Sequence, residues 1–207
     1  MRFGPCVAVA ALVLMAPRAS IAEEQGHEDS RPAPMLQYGV GIAAELVAAP
    51  GSMCSPADPC ILGSGAGIAA RIGLRTAGPF YFGGAYEVSK QDPSKLYRLA
   101  LLQQLRGEIR YAIQTKRDVE PYFVGGVGAV AYGNEWGTDT KGGVAFLGGG
   151  ASAEIAPQTL VGLQVTYRAM YFSRFEDSTG VRRGGGFSHV ISVELTLEAR
   201  DRLHLQP

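Results

Sequence analysis

Charge is scarce in this chain. Only 18% of its 207 residues are Asp, Glu, Lys or Arg, against roughly 25% in an average soluble domain. The charge that exists is balanced, with 19 basic and 19 acidic residues, which argues against a nucleic-acid binder and its usual basic excess. Histidine numbers three and tryptophan one, so there is little material for acid–base chemistry. Beyond the N-terminus no apolar run reaches the 18 or so residues of a membrane-spanning helix. That absence does not bear on a transmembrane β-barrel, whose signal is much weaker per segment. What the chain has instead is glycine, 28 of 207, about twice the usual share. Hydrophobic residues make up 46%, too many for a disordered polypeptide. Few charges, much glycine and many apolar side chains fit an all-β protein, or one that lives in lipid.

Residues 1–22 read MRFGPCVAVAALVLMAPRASIA. Arg2 supplies a positive start, Cys6 to Ala16 is an unbroken apolar run, and Ser20 and Ala22 fit a small-x-small cleavage site. This pattern predicts a cleaved secretory signal peptide; an N-terminal anchor or buried helix is the rival reading. Cys6 opens the apolar run rather than following it, which does not fit a lipoprotein. Residues 23–34 are polar and broken by Pro32 and Pro34, and are expected to be a flexible leader.

From residue 35 the chain divides into eight segments of period-2 alternation, the spacing of a β-strand with two unlike faces. In the first, Leu36, Tyr38, Val40, Ile42 and Leu46 oppose Gln37, Gly39, Gly41 and Glu45. Later segments repeat the arrangement: Ile68, Ile72 and Leu74 oppose Arg71 and Arg75, and Phe80, Phe82, Tyr86 and Val88 oppose Glu87. In the seventh and eighth, Leu163, Val165 and Tyr167 oppose Arg168, and Ile191, Leu195 and Leu197 oppose Glu194 and Glu198. The fifth, PYFVGGVGAVAYG, is ambiguous because both faces are apolar or glycine. The fourth, around LLQQLRGEIRYAIQ, also has helical spacing and helix-forming residues. Its strict alternation from Leu105 to Ile113, and Gly107 within it, favour a strand. Connectors after the first, fifth and seventh segments are long, while those after the second and sixth are short. Such alternation, with an even strand count, is that of an up-and-down transmembrane barrel.

Period alone does not say which face points inward. Composition does better, because the polar face is mostly Gly, Ala and Ser with isolated charges, which suits a tight lumen rather than a solvated sheet. Its charges are Glu45, Glu87, Glu108, Glu154, Glu194 and Glu198 against Arg71, Arg75, Arg98, Arg106, Arg110 and Arg168. An interior network of these groups is expected to neutralise itself, since an unpaired buried charge costs several kcal/mol. Arg rather than Lys suits bidentate pairing with carboxylates. Tyr and Phe concentrate near segment ends, the placement of interfacial girdles. Such a lumen is plugged, unlike that of a general porin.

Cys54 and Cys60 lie in the Pro-rich stretch MCSPADPC, and a disulfide is the economical reading for an exported chain. A metal site is the alternative, but no histidine stands near. Ser188 and His189 are adjacent, so on a strand they face opposite ways and do not form a nucleophile–base pair. A dyad of His189 with Glu176 or Asp177 stays open. GAGIAA and GGVGAVAYG lack the strand–helix–acid context of a dinucleotide site. The loop GNEWGTDTKGG holds Trp136 and reads as an interface anchor, with a recognition loop or cation site as the other possibility. No catalytic residue, metal ligand or cofactor is assigned.

With these features the chain resembles the small outer-membrane β-barrels of Gram-negative bacteria, of the OmpA transmembrane-domain and OmpX type. Stretches such as YFGGAYEVSK, LLQQLRGEIRY and YGNEWGTDT are similar to those of uncharacterised outer-membrane barrel proteins. The resemblance implies an all-β, eight-stranded antiparallel barrel over residues 35–200 and a tail over 201–207. It also implies a monomer in outer-membrane lipid, insertion by the barrel assembly machinery, and a structural, adhesive or protective role. The chain departs from the pattern at its end, which continues to Leu203-His204-Leu205-Gln206-Pro207 rather than stopping on a terminal aromatic residue. Two other readings share the alternation: a soluble exported barrel holding a small apolar ligand, and a membrane-embedded lipid-modifying enzyme.

Overall fold

The computed structural model describes residues 34–54, 58–91, 94–113, 115, 118–177 and 179–203. The expected signal peptide, and the leader as far as residue 33, lie outside the described residues. Eight long strands form the fold: β1 (Met35–Ala49), β2 (Gly65–Arg75), β3 (Phe80–Lys90), β4 (Ala100–Ala112), β5 (Val119–Asn134), β6 (Thr138–Ala156), β7 (Thr159–Phe172) and β10 (Gly186–Arg202). A short hairpin, β8 (Phe175–Glu176) with β9 (Arg182–Arg183), interrupts the last connection. Each long strand pairs antiparallel with its neighbours, and β10 returns to β1 to close the barrel. Closure leaves no unpaired sheet edge. β10 runs two residues beyond the expected boundary at 200, so Asp201 and Arg202 belong to the wall rather than to a tail.

The fourth segment, with its helical spacing, is a strand. Along β4, Arg106, Glu108 and Arg110 are buried while Leu105, Ile109 and Tyr111 are exposed. Helical residues two apart sit roughly 200° apart, so no helix would gather those three charges on one face.

Burial is inverted relative to a water-soluble barrel. Ile68 and Val127 are 68% exposed, whereas Glu87 and Arg168 are 0% exposed. Aromatics mark both ends of the outer wall. Tyr38, Phe80, Phe82, Tyr111 and Phe123 lie toward one end; Tyr167, Tyr171 and Phe187 lie toward the other. Tyr171 meets Phe187 edge-on with ring centroids 5.3 Å apart, as Phe80 meets Tyr111.

The connections segregate by length. The β2–β3, β4–β5 and β6–β7 connections leave the turn end, where Leu203 N–H also bonds Pro34 O at 3.2 Å. The β1–β2, β3–β4, β5–β6 and β7–β10 connections leave the loop end. The fifth connection is shorter than the sequence pattern implied. β6 begins at Thr138, and Asn134 Oδ1 accepts the N–H groups of Trp136 and Gly137 in a tight turn.

Inside the barrel, glycines make room for charge. Gly39 faces Glu198 on β10 and Arg71 on β2, and a Cβ on Gly39 would come within 2.7 Å of Glu198 Cγ. Gly83 and Gly126 flank Glu108 across β3 and β5. The lumen is polar in its middle and turn-end half and apolar at the loop end. At the loop end Met53, Ile61 and Leu62 of the β1–β2 connection fold inward and pack with Leu102, Val130, Tyr132, Val144, Met170 and Phe172 of the wall. Each fully buried side chain of this size contributes about 1.5–3 kcal/mol. The two apolar faces of the fifth segment thus have two uses: Val130 and Tyr132 build this plug, and Phe123 and Val127 face outward.

Candidate functional site

The most elaborate side-chain chemistry lies in the middle and turn-end half of the lumen. On β2 and β3 the inward positions mix charge with glycine or alanine, and Gly83 and Ala85 leave space opposite Glu108 and Arg106 of β4. Two linked groups of ion pairs result.

The first group centres on Arg168 of β7. Its Nη1 donates to Glu45 Oε1 at 2.9 Å and to Glu87 Oε1 at 2.8 Å, and its Nη2 donates to Glu87 Oε2 at 3.0 Å. Arg106 Nη2 reaches the same Glu87 Oε2 at 2.7 Å. Gln104 and Gln91 donate their amides to Glu45. The second group lies nearer the turn end. Arg71 pairs with Glu194 and lies 3.4 Å from Glu198; Arg110 bonds both Glu108 and Glu198 at 3.0 Å. Gln37 donates to Glu198 as well. The Arg110 guanidinium sits 4.8 Å from the Tyr81 ring centre and 5.2 Å from that of Tyr122, and Arg106 stands over Phe146 at 5.3 Å. Cation–π contacts of this kind add to the ion pairs where water is excluded.

Nine of the twelve charges expected on the inner face come together here: Glu45, Arg71, Glu87, Arg106, Glu108, Arg110, Arg168, Glu194 and Glu198. Glu154 does not. It is exposed near the β6–β7 turn, where the register shifts between Glu154 and Ala156, and its Oε1 accepts the Gln158 N–H at 3.0 Å. That bond supports a turn whose Gln158 adopts a positive φ of 64°. Arg98 is likewise exposed, on the β3–β4 connection. Their places are taken by Glu120, which pairs with both Arg75 and Arg200, while Arg200 Nε donates to Gln37 Oε1 at 3.0 Å. The sequence signal for Glu120 and Arg200 was weak, because both lie at strand ends where alternation stops.

A basin of about 900 Å3 opens at the turn end, lined by Arg75, Asp118, Glu120, Ser152, Glu154 and Arg200. The ion pairs and Tyr81 and Tyr122 lie beyond it. The arrangement can hold eight strands in register from within.

The other candidates separate. Ser188 is buried and donates to Pro50 O at 2.7 Å, whereas His189 lies on the outer wall with Nδ1 2.7 Å from Tyr167 Oη. Asp177 is engaged elsewhere. It pairs with Arg183 at 2.8 Å and accepts bonds from Thr179 and the Val181 N–H. Burial works to raise this carboxyl, but those hydrogen bonds outweigh it and hold the pKa below the usual aspartate range. Arg183 also donates to Met53 O at 2.8 Å and Pro59 O at 3.0 Å, which ties the β8–β9 hairpin to the β1–β2 connection. Cys54 and Cys60 form a disulfide inside that connection. Asp139, beside Trp136, accepts the Tyr97 hydroxyl at 2.9 Å. Among the described residues no group of three or more His, Cys, Asp or Glu is placed to hold a metal ion.

No protein-family model matches the chain, and no curated protein matches it in sequence. Solved structures do resemble it. Neisserial surface protein A is 17% identical, over 82% of this chain and 97% of that one, with a TM-score of 0.50. The outer-membrane protein OprG of Pseudomonas aeruginosa is 10% identical over 84% and 98%, with a TM-score of 0.49. PagL, described as an outer-membrane enzyme, is 14% identical over 78% and 98%, with a TM-score of 0.41. Likeness at these identities is a likeness of fold. The chain has the closed, all-antiparallel, eight-stranded architecture of small outer-membrane barrels. One fold hosts unrelated activities, so function depends on this chain's own residues.

Proposed function

We propose that this chain is an integral β-barrel of the Gram-negative outer membrane, closed to solutes, with a structural or surface role and no catalytic chemistry. The inversion of burial carries the reading. Val40, Ile42, Ile68, Ile72, Leu105 and Leu147 are exposed on the outer wall, while Glu87, Arg106 and Arg168 are enclosed. Water would penalise so continuous an apolar exterior, and hydrocarbon would not. Strands of 11 to 19 residues reach or exceed the roughly 9–11 needed to cross a bilayer at a tilt. A soluble barrel with an apolar ligand would need the opposite arrangement, an apolar lumen with space in it. The turn-end half of this lumen holds ion pairs, and the loop-end half is filled by the chain itself. Lipid modification through His189 finds no support in its surroundings, since its bonding partner is Tyr167 rather than an acid or a serine.

The test is fractionation and folding in detergent. The expected product is found in the membrane pellet and migrates differently on gels when unheated. A polypeptide that stays in solution without surfactant overturns the proposal. In planar bilayers the folded protein is expected to show no steady conductance.

A further inference from the structure

The outer wall is not evenly covered. Across β10, β1, β2 and β3 one row reads Leu197, Val40, Ala70, Tyr86, and the next toward the loop end reads Leu195, Ile42, Ile68, Val88. Ala70 is a single methyl between two larger side chains, and the wall there is hollowed into an apolar groove of about 610 Å3. That is within the roughly 300–1,000 Å3 of small-molecule sites. One row higher, the cross-strand neighbours are Ala44, Ala66 and Lys90. The groove therefore leads past two more alanines to a lysine on the same face.

Lys90 is exposed and makes no ion pair with any described residue. It stands four residues above Tyr86 on β3, about 13 Å at the usual strand rise. Between them lies Gln103 of β4, paired across the strands with Val88. Tyr86 Oη donates to Gln103 Oε1 at 2.8 Å, so the hydrogen-bonding capacity left to that side chain is its N–H donors. A cation at the loop end, an amide donor one step below and an apolar trough beneath follow the order of groups in a membrane lipid: phosphate, ester, acyl chain.

Resting on the membrane reading above, we propose that this face is a binding site for one lipid with an anionic, phosphate-bearing headgroup. Its phosphate sits against Lys90, its ester region beside Gln103, and one acyl chain in the groove floored by Ala70. Charge complementarity selects the headgroup, and the hollow selects a chain over a flat apolar partner.

The test is electron spin resonance of the folded protein in phosphatidylcholine vesicles, with spin-labelled phosphatidylglycerol compared with spin-labelled phosphatidylcholine. The parent is expected to favour the anionic probe, by about fivefold at the Lys90 site itself, which reads as a ratio above one when averaged over the boundary lipids. Lys90→Gln is expected to bring the ratio close to one. Ala70→Phe, which fills the groove from the lipid side, is expected to lower it by about half or more. Lys141→Gln, an exposed lysine near the loop end of β6 and outside the groove lining, is expected to leave it unchanged. Equal losses in the two lysine variants, no preference in the parent, or an unchanged ratio in Ala70→Phe would each overturn the site while leaving the membrane reading intact. Absence of any motionally restricted lipid would overturn both.

Discussion

Arg168→Met removes the residue on which the first ion-pair group turns. Arg168 is 0% exposed and makes three bonds to carboxylates, one to Glu45 and two to Glu87, besides one to the Thr166 hydroxyl. At about 1.5–3 kcal/mol each, simple addition would give roughly 4.5–9 kcal/mol. That overstates the loss, because Glu87 keeps Arg106, and Glu45 keeps Gln91 and Gln104. The cost expected for breaking a buried pair on one side, about 3–5 kcal/mol, is the better figure. Much of it comes from two carboxylates left facing a single guanidinium. Adding Glu45→Gln to Arg168→Met should therefore recover about 2 kcal/mol, although Glu45→Gln alone destabilises the parent. Urea unfolding of the four proteins in lipid vesicles, followed by tyrosine and tryptophan fluorescence, gives the double-mutant cycle. The reasoning is refuted if Arg168→Met lies within about 1 kcal/mol of the parent, or if the two substitutions are additive.

Glu154→Ala should change stability by no more than about 0.5 kcal/mol, because its carboxylate is exposed, whereas Glu198→Ala should cost several times that. The same unfolding assay separates them. Gly83→Val would press a branched side chain onto the Tyr81 hydroxyl and should destabilise by about 1–3 kcal/mol, seen as a lower midpoint for heat-modified migration. Reducing the Cys54–Cys60 disulfide should cost roughly 2 kcal/mol at most and leave the barrel closed, with circular dichroism unchanged. Arg183→Ala frees Asp177 and the carbonyls of Met53 and Pro59. It should speed proteolysis at the loop end while the wall stays resistant. Because the folded-state pKa of Asp177 is depressed, its contribution is complete above the ordinary aspartate pKa of about 3.9 and fades only as pH falls below it. Loop-end protection in hydrogen exchange should accordingly hold from pH 7 to about pH 5 and weaken in stronger acid.

Strand identity was legible because it is local. Alternation in β1, β2, β3, β7 and β10 needs only the order of residues, since a side chain two positions on must share its face. β4 was the hard case, and its three inward charges at period 2 decided it. The network was half legible for a related reason. Arg71 and Glu194 could be placed on the inner face from their neighbours, but their pairing joins β2 to β10 over the intervening β1, 123 positions apart in sequence. Nothing in either segment names the other.

Alternation and composition alone determined eight strands, two faces and a lumen rich in arginine and glutamate. Closure decided the rest. The stagger of the strands carried Glu154 out to the rim and brought Glu120 and Arg200 to the turn end, while Arg98 fell on a connection. It also left a loop-end space that Met53, Ile61 and Leu62 fill. The reason is that a side chain's direction follows from its own backbone, whereas its partner and depth depend on how far each strand slides against the next before the sheet meets itself.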